Sequence, residues 1–213
     1  DQRLSVGILA FVLFCFWIFP GPAREFFLTI KQLDLWSAQF AYLRLAKSAQ
    51  DLESPEGWEE EIAILLSSRA EHWHSVGALY SYYRSHLMGD LKGARISLEQ
   101  AIEGTSQSHW LFNVVRLNAA IFLGFYDRNA DRAQDALSAL NEADFAGSYT
   151  YPMAVAATRM AQARENEALD AANEAKRIIQ AKSGPDPTYP QEEAIVDAII
   201  QECEAALAAE GTE

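Results

Sequence analysis

The densest group of side chains able to do chemistry is Glu71-His72-Trp73-His74. Imidazole and carboxylate together form the donor set of many zinc and iron sites, so spacing decides whether they converge. On one helix His72 and His74 point about 200° apart and cannot share a metal. Glu71 and His74 fall one turn apart, but two ligands do not close a site. His86 and His109 lie on later segments, and neither an HExxH nor an HxxEH pattern occurs. The histidines read as helix-surface or inter-helix groups, and no cofactor or metal is expected.

Other catalytic signatures are missing. The sequence has no GxSxG elbow, phosphate-binding loop or dinucleotide fingerprint. Glu59, Glu60 and Glu61 form the strongest charge run. Near a helix start the dipole favours them, whereas calcium needs a looped oxygen cage that this segment does not encode. Cys15 and Cys203 are the only cysteines, too few and too far apart for a thiolate zinc knuckle. The chain itself reads as non-enzymatic.

Charge narrows the partners. The net charge is −13, and the acidic excess lies beyond residue 31. Nucleic-acid binders concentrate Lys and Arg to neutralise phosphates, so no nucleic acid is expected. A protein or peptide partner fits better, a basic one where the acidic surface steers it.

At the start of the chain, Leu4 to Phe19 is a sixteen-residue run without charge. As a helix it is about 24 Å long, somewhat short of the roughly 20 residues a bilayer span uses. The leading reading is a membrane span that places the lipid bilayer among the partners, with the body on an undetermined side. Arg3 and Trp17 suit its interfaces. A secretion signal ending near Gly21 and Ala23 and a buried core helix are the alternatives. Pro20-Gly21-Pro22 is expected to end this helix, and an interfacial helix to restart at Ala23.

Beyond it the apolar residues recur at helical spacing. Ser54-Pro55-Glu56 combines a capping hydroxyl with Pro at the first helical position. Gly89-Asp90 supplies a turn between a helix carrying Trp73, Val76, Tyr80 and Tyr83 and another carrying Ala94, Leu98 and Ala101. The chain divides into an apolar membrane segment (1–22), a linker or interfacial helix with a first array helix (23–53), a helical array (54–188) and a C-terminal capping helix with a tail (189–213).

Within the array Ala63, Ala94, Ala133 and Ala168 recur on the second helix of each pair, in steps of 31, 39 and 35 residues. Small residues there let antiparallel helices approach closely. With Gly89, Asp90, Ala94, Leu98 and Ala101 as its best unit, this pattern over about residues 56–182 resembles the tetratricopeptide repeat (TPR) family. The resemblance implies an all-α fold, a right-handed α-solenoid of TPR-like helical hairpins, here preceded by an apolar membrane-anchor helix. It also implies a concave surface that binds a protein or peptide. The candidate lining residues are Tyr80, Tyr83, Arg84, Asn113, Arg116, Asn118 and Arg159. Tyr and Arg supply contact area and directed donors, although Tyr80 and Tyr83 also share the core stripe of Trp73. The family's terminal-carboxylate clamp is not reproduced at matching positions.

The leading expectation is a membrane-tethered scaffold for protein–protein interaction or assembly. The alternatives are a C-terminal regulatory domain of a larger multi-span membrane enzyme or transporter, and a secreted or periplasmic helical binding protein.

Overall fold

A computed structural model describes residues 20–68, 71–181 and 190–210. The described chain is helical throughout: α1 (Pro20–Gln50), α2 (Glu59–Ser67), α3 (Glu71–Leu87), α4 (Leu91–Glu103), α5 (Phe112–Phe125), α6 (Ala130–Ser138), α7 (Thr150–Ala161), α8 (Glu165–Ala181) and α9 (Pro190–Glu210). Short 3-10 turns at Pro55–Trp58 and Glu142–Phe145 link them.

The first helix departs from expectation at its start. Pro20 is its first residue, because a first-turn N–H has no intrahelical partner to lose and the ring presets a helical φ. Ala38, Ala41 and Leu45 bury one face, while Leu33, Trp36, Phe40 and Leu43 are 52–64 % exposed on another. At its end Leu52 adopts φ 53°, with Glu53 N–H donating to Ser48 O at 2.9 Å and Leu52 N–H to Ala49 O at 3.2 Å. That is a Schellman closure.

The same closure makes the sharpest hairpin. Gly89 sits at φ 78°, where a side chain would be strained, and Asp90 N–H donates to Ser85 O at 2.8 Å. The Asp90 carboxylate then caps α4 by accepting from Gly93 N–H at 2.9 Å. Ser75 Oγ donates to the carbonyl of Gly104 at 2.7 Å, which satisfies a carbonyl at the far end of α4.

Successive helices pack on one another, and α5 also packs directly on α7. Each contact follows side-chain size. At the α5–α7 contact Gly124 meets the backbone of Ala157 so closely that an added Cβ would lie 2.6 Å from the Ala157 carbonyl carbon and oxygen. At α7–α8 the buried Ala168, Ala172 and Ala175 do the same work. Between α3 and α5, by contrast, large rings meet: Tyr82 faces Phe122 at 6.0 Å and His86 faces Tyr126 at 5.5 Å. These rings hold α3 and α5 apart.

The even array therefore needs correction. Ala63, placed at a close helix contact by the repeat, is exposed, unlike Ala94, Ala133 and Ala168. The last helix also returns toward the beginning: Gln191 Nε2 donates to Leu87 O at 3.3 Å, a contact between the first turn of α9 and the end of α3. What stands among the described residues is an all-α, multi-helix fold with sequential helix packing, not an even right-handed TPR-like solenoid.

The membrane expectation is corrected as well. Among the described residues no helix is long and apolar enough to cross a membrane. The longest, α1, carries Arg24, Glu25, Lys31, Asp34, Arg44 and Lys47, and buried charge of that density is expelled from hydrocarbon. Residues 4–19, expected as the anchor, lie outside the described residues. The membrane tether, the bilayer as partner and the membrane location are not carried forward.

Candidate functional site

The gap that the rings open between α3 and α5 becomes a cavity of about 570 Å³. The end of α1 and the 3-10 turn with Trp58 bound one side, and α7, α9 and residues 144–150 bound the other. Its apolar floor includes Leu117, Ile121 and Met153. This size and mixture match sites that hold small molecules.

Three rings form consecutive walls. Trp58 and Tyr80 meet at 5.8 Å and 75°, and Tyr80 and Tyr83 at 6.1 Å and 71°. Rings set edge to face in this way are a favoured arrangement. Trp58 is 3 % exposed, and its indole N–H donates to Ser48 Oγ at 2.8 Å, which fixes the ring. Asn118 Nδ2 donates to Tyr83 Oη and to Val114 O, both at 2.9 Å. The amide thus ties one ring to the opposite helix.

At the other end Tyr149 Oη donates to Glu192 Oε2 at 2.7 Å, joining the segment before α7 to α9. His86 Nε2 and Tyr126 Oη are 3.0 Å apart, and His86 stacks on Tyr82 at 5.6 Å and 6°. Burial lowers the His86 pKa from its ordinary value, because the charged imidazolium loses its hydration. The Tyr82 hydroxyl is pushed well above its usual range by burial first, and then by the charges of Tyr83, Tyr126 and Glu192. At neutral pH His86 and Tyr82 are both uncharged.

That arrangement carries a pH dependence. With its folded pKa depressed, His86 stays neutral in the fold while the unfolded chain takes up a proton near pH 6.5. Stability contributed by the neutral ring is present above that pH and is lost as pH falls through the window below it. Comparing thermal melts between pH 8 and pH 5, the wild-type chain is expected to lose more stability than His86→Gln. Parallel losses would show that the ring is not the source.

Of the sequence candidates, Tyr80, Tyr83 and Asn118 line the cavity. The other four do not. Arg84 is ion-paired with Glu59. Arg116 lies over the Phe112 ring at 5.2 Å, and Asn113 is half-buried on the same helix. Arg159 donates to Gln134 and Gln162, each at 2.8 Å. Trp58, His86, Tyr149 and Glu192 belong to the cavity without having been singled out for it. In the sequence Trp58 stands at helical spacing from Ile62 and Leu65, and Glu192 beside Glu193 at a helix start, so neither residue type nor spacing points to a shared site.

Among the described residues no group of three or more His, Cys, Asp or Glu is placed to hold a metal ion. His74 Nδ1 instead lies 2.9 Å from Leu66 O, and His72 packs against Trp73 at 4.9 Å. The cavity offers hydrogen bonding, ring contact and apolar burial. Set against protein family models, curated proteins and solved structures, the chain matches none of them.

Proposed function

We propose that this chain is a helical binding module whose ligand is a small molecule held in the cavity between α3, α5, α7 and α9. The observation that carries this reading is the cavity of about 570 Å³ with aromatic walls, an apolar floor and a few oriented polar groups at its ends. Ligand sites combine burial for affinity with a few polar groups for orientation. Ring-to-ring contacts and hydrogen bonds hold the walls in place, which reduces the ordering required on binding. This reading replaces the membrane-tethered scaffold, and it retains Tyr80, Tyr83 and Asn118 as binding residues.

N-phenyl-1-naphthylamine, an uncharged apolar dye that fluoresces when shielded from water, tests the reading. The wild-type chain is expected to bind one equivalent saturably. Val114→Trp places an indole at a lining position that is 39 % exposed, so the added volume enters the cavity mouth without overpacking the core. It is expected to abolish dye binding while leaving the melting temperature close to wild type. No saturable signal from wild type, or equal binding by the variant, overturns the proposal.

A further inference from the structure

The cavity carries a sign as well as a shape. Among the described residues that line it, the formally charged side chains are Asp144 and Glu192, and neither Lys nor Arg is present. A carboxylate ligand would meet two like charges and, among the described residues, no cationic partner, which disfavours it in a partly desolvated space. A positive group would meet Glu192, whose carboxylate is oriented by the Tyr149 hydroxyl at 2.7 Å. The rings of Trp58, Tyr80 and Tyr83, set at 75° and 71° to one another, wall the other end, where they suit an apolar or aryl body.

We infer that the ligand is an organic cation, an ammonium group on an apolar body, with its charge at Glu192 and its body along the ring walls and on Leu117, Ile121 and Met153. This deepens the proposed function and rests on the cavity being the ligand site. The apolar lining suits a hydrocarbon or aryl body. The acidic balance of the whole chain, −13, raises the local concentration of such cations.

Three probes that share one body separate charge from shape: 4-phenylbutylamine, 4-phenylbutan-1-ol and 4-phenylbutanoate, cationic, neutral and anionic at pH 7. Isothermal titration of the full chain is expected to show the amine binding about tenfold more tightly than the alcohol, and the carboxylate binding most weakly. Glu192→Gln keeps the size of the side chain and an oxygen that can accept from Tyr149. It is expected to reduce the amine to the alcohol's affinity. Alcohol or carboxylate binding as tight as the amine, or an unchanged amine affinity in Glu192→Gln, overturns the inference. Dye binding that persists beside such a result would leave the cavity as the ligand site and remove only its charge preference. Loss of dye binding in wild type would remove both.

Discussion

Replacing Gly124 by valine is expected to destabilise the chain by about 3 kcal/mol, at the upper end of core overpacking. A Cβ at this position would lie 2.6 Å from the carbonyl carbon and oxygen of Ala157 and 3.0 Å from the amide nitrogen of Thr158. Those are backbone atoms inside α7, so no side-chain rotation relieves the clash. The helices must separate, and the surrounding contacts of Ala120 and Ala154, each fully buried, loosen with them. For a chain of this size the loss corresponds to a melting temperature lower by roughly 6–12 °C. Gly57→Ala is the control, because an added Cβ there meets nothing within 4 Å, and its melt is expected to match wild type. An unshifted melt for Gly124→Val would mean that α5 and α7 do not meet at this glycine.

Truncating Tyr82 to alanine is expected to remove a further kind of support, at a loss of about 3–5 kcal/mol. The ring is 2 % exposed, and it contacts Phe122, His86 and Tyr83 at centroid distances of 6.0, 5.6 and 5.3 Å. It is the spacer between α3 and α5, so its loss leaves a void where the helices stand apart. Naphthylamine affinity should change along with the melt, since Tyr82 also lines the cavity. Tyr82→Phe keeps the ring and should keep most of the stability, which separates spacing from hydroxyl chemistry. Equal losses in the two variants would assign the effect to the hydroxyl instead.

These substitutions act on opposite solutions to one packing problem. Where α5 meets α7, the absence of a side chain lets backbones touch, and the interface is closed. Where α3 faces α5, stacked and edge-on rings fill the space near the helix ends and leave a cavity beside them. A glycine on α5 and a tyrosine on α3 thus decide where the molecule is solid and where it leaves a cavity.

Local sequence was enough for helix class and for several helix ends. Periodic apolar residues define amphipathic helices because side chains three and four apart share a face. Gly89-Asp90 announces its turn because glycine tolerates a positive φ and aspartate caps the next helix. Tyr80, Tyr83 and Asn118 could be nominated because their size and polarity suit binding. Whether a given arginine faces a ligand or a neighbour is a tertiary matter, and Arg84 and Arg159 are occupied by Glu59, Gln134 and Gln162.

Composition and spacing in the sequence determined that this protein is all-helical, acidic and without a recognisable catalytic motif. Only the tertiary structure decided that its helices are not an even array. Ala63 stands in register with Ala94 yet is exposed, because periodicity gives a residue its face but not the neighbour opposite that face. The candidate site shows the same limit more strongly. Trp58, Tyr83, Tyr149 and Glu192 are distant in sequence and share no local period. They meet because Gln191 carries the start of α9 back to the end of α3 and because bulky rings hold α3 from α5. Helix formation rests on interactions within a few residues, whereas a cavity is the space left over when whole helices pack.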